Sequence, residues 1–290
     1  MVAIELNPTR KPPSCEEIHP IVAVTQPYAG LLGLVVILAF GALLGCGEQG
    51  NQTAAIMSWI ATLASTLRLY PQLFSNWRRR SVDGLSLDMQ VYSVFGFGTY
   101  SLFNYGIAWT TMRDTNAMLS CMGAYANLHA LLVSLLVLYQ CTVYNHNNQV
   151  VSTMCQVIVC GAFIITILFV ILNNLVTIEF LSWSNFIDMM CYLHVFMTMI
   201  KYAPQVELQC RRQSTIGFSI FGVLYDLIFG LSTLASLFLN GLTPHDLWLF
   251  VIAWVTIAYN TIFIAQHYVL YRNRDDGSLQ ERRALIYLRA

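Results

Sequence analysis

The chain has 290 residues, 57% of them hydrophobic and 10% charged, with 15 basic and 15 acidic side chains that cancel to a formal net charge of zero. That balance excludes the strong global field expected of a nucleic-acid binder. The apolar residues fall in blocks close to the roughly 20 residues needed to cross a bilayer core of about 30 Å, so an all-α polytopic membrane protein is expected rather than two soluble domains.

In chain order the blocks lie near 21–45, 53–75, 87–112, 120–144, 151–178, 182–208, 216–240 and 247–271. The first, Ile21 to Leu44, is an extra spanning helix or a signal anchor within an N-terminal segment 1–50, because about 24 apolar residues is long for a cleaved signal. Asn51-Gln52-Thr53 is a formal glycosylation sequon set almost against the next helix, where it is expected to go unused. Residues 51–144 read as a first three-helix repeat, 145–181 as a linker helix, 182–271 as a second three-helix repeat and 272–290 as a polar tail. Arg10, Lys11, Arg78 to Arg80, Arg211, Arg212 and the tail arginines fall on one side of the eight-helix arrangement, and Arg113 on the other. The positive-inside rule places the arginine-rich side and both termini in the cytosol. The eight cysteines contain no CxxC pair and read as small buried hydrophobes, with no compact ligand set for a metal. No P-loop, HExxH or nucleophile-base arrangement is present, so neither an enzyme nor a cofactor is expected.

The repeats are defined by polar residues. YPQLFSNWRRRSVDGLSLD, from Tyr70 to Asp88, aligns with APQVELQCRRQSTIGFSIF, from Ala203 to Phe221, at an offset of about 133 residues. Pro71 and Gln72 meet Pro204 and Gln205, Arg78 and Arg79 meet Arg211 and Arg212, and Ser81, Gly84 and Ser86 meet Ser214, Gly217 and Ser219. Two halves separated by one linker helix are parallel in the membrane, which gives a 3+1+3 arrangement with substrate bound between the halves. The first block lies outside that symmetry.

A proline inside a helix removes a backbone hydrogen bond, and membrane helices tolerate the break beside a cavity. Pro71-Gln72 and Pro204-Gln205 are therefore hinge candidates; permanently kinked structural helices are the alternative. Asp226 lies about 14 Å along the axis from Gly217, too deep to reach an interface. Burial disfavours a charged aspartate, so Asp226 is the candidate to load a proton in an acidic compartment and release it at neutral pH, against the alternative of a fixed bond to a neighbouring helix. Arg68 and Lys201 each precede the repeat proline by three residues and are candidates to hold a substrate carboxylate, unless they extend to the interface. Asp88 opens a helix, where an acid suits the dipole or takes a second proton. His194 shares a helical face with Lys201 and is a substrate-site candidate, with a bonded core histidine as the alternative; His129 and His267 are expected to be bonded core residues. In the tail, Glu281 precedes the Leu285-Ile286 pair in the form of an acidic dileucine sorting signal, which implies clathrin adaptors as partners.

From Trp59 to Arg272 the chain resembles the PQ-loop proteins, and within them the cystinosin branch. The resemblance is carried by YPQ with NWRRRSVDGLSLD, YSLFN at Tyr100 to Asn104, KYAPQ at Lys201 to Gln205, STIGFSI at Ser214 to Ile220, LYD ending at Asp226 and QHYVLYR ending at Arg272. It implies seven core helices and proton-coupled export of cystine from a lysosomal or endosomal lumen to the cytosol. It also implies a proton carrier at Asp226 and a substrate-site role for Lys201. Cystinosins carry asparagines at the positions of Ser93, Gln209 and Gly222, a lysine at that of His194 and an aspartate near Gly123. Those positions add Ser93 and Gln209 to the substrate-site candidates and leave cystine selectivity open. A cationic amino acid or sugar carrier and a sorting receptor of similar helix arrangement are the other readings.

Overall fold

Among the described residues ten helices account for the eight apolar blocks, because two of the blocks are broken. The computed structural model describes residues 20–47, 50–111, 117–176, 181–243 and 246–272. The sorting residues Glu281, Leu285 and Ile286, and the charges Arg10, Lys11, Arg113, Arg274, Arg282, Arg283 and Arg289, lie outside that set. The helices are α1 (Pro20–Cys46), α2 (Gln52–Leu67), α3 (Tyr70–Arg79), α4 (Leu87–Thr111), α5 (Ala117–Val143), α6 (Thr153–Leu175), α7 (Trp183–Lys201), α8 (Ala203–Arg212), α9 (Ile220–Asn240) and α10 (Leu247–Ala265). A π-helical turn, Gln266–Leu270, extends the last. Among the described residues five helices are long and apolar enough to cross a membrane by composition, those containing Tyr28–Cys46, Ala124–Val143, Thr153–Leu175, Ile220–Asn240 and Leu247–Leu270. Buried polar residues occur on both groups, among them Asp226 on α9, Asn260 on α10, Gln90 on α4 and Lys201 on α7.

Local chemistry sets the boundaries. Asn51, Ser152 and Ser182 each accept a backbone N–H three residues on, capping α2, α6 and α7. The Asn51 amide also donates to Leu239 O at 2.9 Å, so the sequon asparagine fastens α2 to the end of α9. Each proline stands at the second position of the helix after a break, where its missing N–H removes no internal bond. The breaks fall at Arg68-Leu69 and at Tyr202, so Arg68 and Lys201 sit at helix C-termini, where a cation complements the dipole.

The six repeat helices close a ring. Helix α2 packs on α9, α9 on α10, α10 on α7, α7 on α4, α4 on α5 and α5 on α2. The first helix of each half thus lies against the second helix of the other, and the 133-residue offset maps the ring onto itself. The first block packs beside the repeats. Helix α1 covers the α2–α9 seam with a core of Ile37, Ile60, Ala64 and Tyr225, while α6 covers the equivalent α7–α4 seam around Cys155, Met197 and Tyr92. At the repeat offset Tyr92 corresponds to Tyr225 and Ala64 to Met197. Gly41 and Gly45 let α1 approach the Ile60 and Ile56 backbone, and Tyr225 Oη donates to Gly30 O at 2.8 Å. The 3+1+3 core thus carries the extra helix α1 on its α2–α9 seam. Of the described cysteines, Cys141, Cys155 and Cys191 are buried as expected, whereas Cys46, Cys160 and Cys210 are exposed.

Candidate functional site

At the arginine-rich end the two halves are bolted together by the repeat glutamines. Gln205 Nε2 donates to Gly84 O at 2.9 Å and its Oε1 accepts the Ser86 N–H at 2.7 Å. The mirror residue Gln72 donates to Gly217 O at 3.0 Å and accepts the Ser219 N–H at 2.8 Å. Both side chains are buried, with Gln205 at 0% exposure, so each amide replaces water for two backbone groups of the opposite loop. Gly84 and Gly217 meet where the loops cross, at φ +97° and +105°, and a Cβ on either would stand 2.9 Å from the other's Cα. Arg212 pairs with Asp83 at 3.0 Å, and Arg79 donates to Gly217 O at 2.9 Å. Gln72 and Gln205, grouped with the prolines as hinge candidates, thus make cross-half bonds, while Pro71 and Pro204 mark the breaks.

Deeper in the bundle lies the charge cluster. Arg68 of one half forms an ion pair with Asp226 of the other. The second carboxylate oxygen accepts Tyr202 Oη at 2.5 Å and Asn260 Nδ2 at 3.1 Å. The Arg68 guanidinium is sandwiched between the Phe97 and Phe229 rings, 5.2 Å and 5.1 Å from their centroids. Lys201 is 7% exposed, with its ammonium 5.5 Å from the Phe97 centroid and 4.5 Å from that of Tyr202, and it makes no ion pair among the described residues. At the repeat offset Arg68 corresponds to Lys201, but Asp226 corresponds to Ser93, whose hydroxyl donates to Met89 O within its own helix at 2.7 Å. The mirror position opposite Lys201 therefore carries no acid.

Two cavities meet at this cluster, with Arg68, Phe97 and Lys201 in the walls of both. The smaller, about 70 Å³, extends toward the arginine-rich end past Ser93, Gln90 and Ser219. The larger, about 260 Å³, extends the other way along α2 and α9 and is lined by hydroxyl and amide groups including Ser58, Thr62, Asn104, Asn127, Thr233 and Thr256. His194 is in its wall, stacked on Tyr100 at 4.2 Å between centroids, with Nδ1 donating to Gly96 O at 2.8 Å. Asp226 is the only acidic residue lining either cavity among the described residues.

Arg68, Lys201, Asp226, His194 and Ser93 therefore converge. Asp88 and Gln209 do not line these cavities. Asp88 accepts the Ser152 N–H at 2.8 Å and ties α4 to the start of α6, while Gln209 is buried in α8 at 1% exposure. His129 and His267, expected as bonded residues, pair with Tyr70 Oη at 2.8 Å and Thr215 Oγ1 at 2.7 Å. Sequence reasoning missed Phe97, Tyr202 and Asn260. Asn260 had a usable signal, since Asn127 matches it at the repeat offset and both line the central cavities. Phe97 and Tyr202 were hidden among many apolar-helix aromatics.

Comparison with known proteins agrees with this architecture. The PQ loop repeat family matches residues 53–110 and 186–246. The chain is 29% identical over 236 residues to cystinosin of Bos taurus, covering 76% of this chain and 63% of that protein. It is 28% identical over 243 residues to cystinosin of Drosophila melanogaster, covering 78% and 60%. It is 25% identical over 251 residues to a cystine transporter of Saccharomyces cerevisiae, covering 76% and 94%. The chain spans about three fifths of the length of the two animal cystinosins. It carries two matches to the PQ loop repeat family and is similar to cystinosins.

Proposed function

We propose from that similarity that the chain exports cystine, or a related amino acid, from an acidic lysosome-like lumen to the cytosol by proton-coupled alternating access. The carrying observation is the cross-half Arg68–Asp226 pair at the junction of the two cavities. A buried ion pair holds two surfaces together only while both partners are charged; neutralising one leaves the other stranded at a cost of about 3–5 kcal/mol. Protonation of Asp226 would free Arg68, which lines the wide cavity, and loosen the seam between α2 and α9. Substrate then bridges the halves in place of the pair, the glutamine-bolted end opens, and loss of the proton to the cytosol restores the pair.

Two cations to one carboxylate also disfavour a cationic amino acid as cargo, because an incoming guanidinium or ammonium would meet a site with an uncompensated positive charge. The substrate name comes from the relatives, and the charge balance supports a carboxylate-bearing solute. The test is uptake of labelled cystine into cells carrying the protein at the plasma membrane, with Leu285 and Ile286 replaced by alanine and the medium acidic or neutral. Acid-stimulated cystine uptake, poorly inhibited by arginine, lysine or glucose, is expected. Surface-exposed protein with no cystine flux at either pH would overturn the reading.

A further inference from the structure

Asp226 does not face the space from which its proton would come. It lines the small cavity, which leads to the glutamine-bolted end, whereas the wide cavity on the other side is bordered by Arg68, Lys201 and Thr256. Three groups hydrogen-bond the carboxylate: Arg68 on one oxygen, and Tyr202 at 2.5 Å and Asn260 at 3.1 Å on the other. A guanidinium keeps its protons in a protein, and an amide N–H is too weak an acid to release one. A phenol hydroxyl differs, because it can pass its proton to the acceptor while taking another from a donor on its far side. Such a donor is present. Thr256 on α10 presents its hydroxyl to Tyr202, and its buried Oγ1 has no other hydrogen-bond partner among the described residues. Thr256 borders the wide cavity, so the order cavity, Thr256, Tyr202, Asp226 crosses the partition between the two spaces. The series occurs in one half alone. At the repeat offset Thr256 corresponds to Gly123, Tyr202 to Leu69 and Asp226 to Ser93, so the acid and both hydroxyls are replaced together, while Asn260 keeps its counterpart in Asn127.

We propose that Thr256 and Tyr202 relay the proton from the wide cavity to Asp226. The inference deepens the exporter reading and rests on it for the proton's source. In the transfer the Tyr202 O–H bond breaks as an O–H bond forms on Asp226 Oδ2. The Thr256 proton passes to Tyr202, and hydronium in the wide cavity restores the Thr256 hydroxyl. One proton has then reached Asp226, and both hydroxyls are regenerated. The charged and titratable groups around Asp226 are Arg68 from α2 and Lys201 and Tyr202 from α7; α10 presents Asn260 and Thr256, and α4 presents Phe97 and, beside Arg68, Tyr100. Lys201 makes no hydrogen bond to the carboxylate among the described residues, so Tyr202 is the one partner of Asp226 that can both give and regain a proton.

The test measures the initial rate of cystine-driven proton entry into liposomes holding the purified full chain, over a series of exterior pH values. Thr256→Val removes the first hydroxyl at nearly constant size and leaves the Tyr202–Asp226 bond in place. Its maximal rate should fall at least about tenfold, and Thr256→Ser, which keeps the hydroxyl, should restore it. Tyr202→Phe separates the relay from a static role by the sign of its effect. The Tyr202 hydrogen bond favours the ionised carboxylate, so if it served only to hold that anion, its loss would move acid stimulation toward neutral pH and leave the maximal rate unchanged. The relay predicts a maximal rate lowered at least about tenfold at every pH. Thermal melting in the same lipid confirms that each variant is folded, and Thr256→Val carries the test where Tyr202→Phe does not fold. A wild-type maximal rate in Thr256→Val, or a loss that Thr256→Ser fails to restore, overturns the inference and leaves the exporter reading standing. Absence of coupled proton entry in the wild type removes the coupled reading and the relay with it.

Discussion

Replacing Gln205 by leucine should unseal the arginine-rich end without disturbing the ion-pair cluster. The amide donates to Gly84 O and accepts the Ser86 N–H, both in a loop of the other half, and the side chain is fully buried. Leucine matches the size of glutamine but leaves both backbone groups without a partner while the end is closed. A buried orphan of this kind costs about 1–3 kcal/mol, and water satisfies both groups once the end opens. The penalty therefore falls on the closed state alone. Taking about 3 kcal/mol for the two groups, the ratio of open to closed molecules rises roughly 100-fold, at 1.4 kcal/mol per factor of ten. The readout is alkylation, by a membrane-impermeant maleimide applied from the arginine-rich side, of Ser93→Cys in a cysteine-free background. Ser93 lines the small cavity behind the bolt and is 8% exposed. The alkylation rate should increase at least tenfold in Gln205→Leu and, through the mirror bonds, in Gln72→Leu. An unchanged rate in folded protein would refute the claim that these amides hold the end shut.

Gly217→Ala should open the same end by a different route, since a Cβ would stand 2.9 Å from Gly84 Cα on a backbone with φ +105°; a rate matching wild type in the maleimide assay would contradict the close crossing. Arg68→Gln and Asp226→Asn should each lower stability in nanodiscs by about 3 kcal/mol, with the double variant recovering most of the loss. Strictly additive losses in thermal melting would show that the two do not act as a pair. Asp88→Asn should keep acid stimulation of uptake and change stability by about 1 kcal/mol or less, because an asparagine Oδ1 still accepts the Ser152 N–H. Loss of acid stimulation in that variant would return Asp88 to the proton path.

The membrane helices were legible because a bilayer imposes length and apolarity directly; the expected blocks and observed helices differ by only a few residues at most ends. The repeat was legible because its polar and Gly/Pro residues stand out in an apolar chain. Spacing alone, however, shows equivalence and not contact. It aligned Gly84 with Gly217 without revealing that they touch, and Gln72 with Gln205 without revealing that each bonds the other's half. The places of α1 and α6 were invisible because both helices are apolar along most of their length, and the seams they cover appear only in their packing. The cations and Asp226 were found because an intramembrane charge is costly wherever it occurs. Their pairing across the halves depends on α2 packing against α9 rather than against its own α4, which no local pattern encodes.

The central claim is that cystine and protons move together through Asp226. Its most direct test is reconstitution of the purified chain in liposomes containing a pH indicator, with cystine added to an acidic exterior. The account predicts cystine-driven acidification of the interior in wild type and its absence in Asp226→Asn. Cystine entry with no accompanying proton movement in wild type would contradict it.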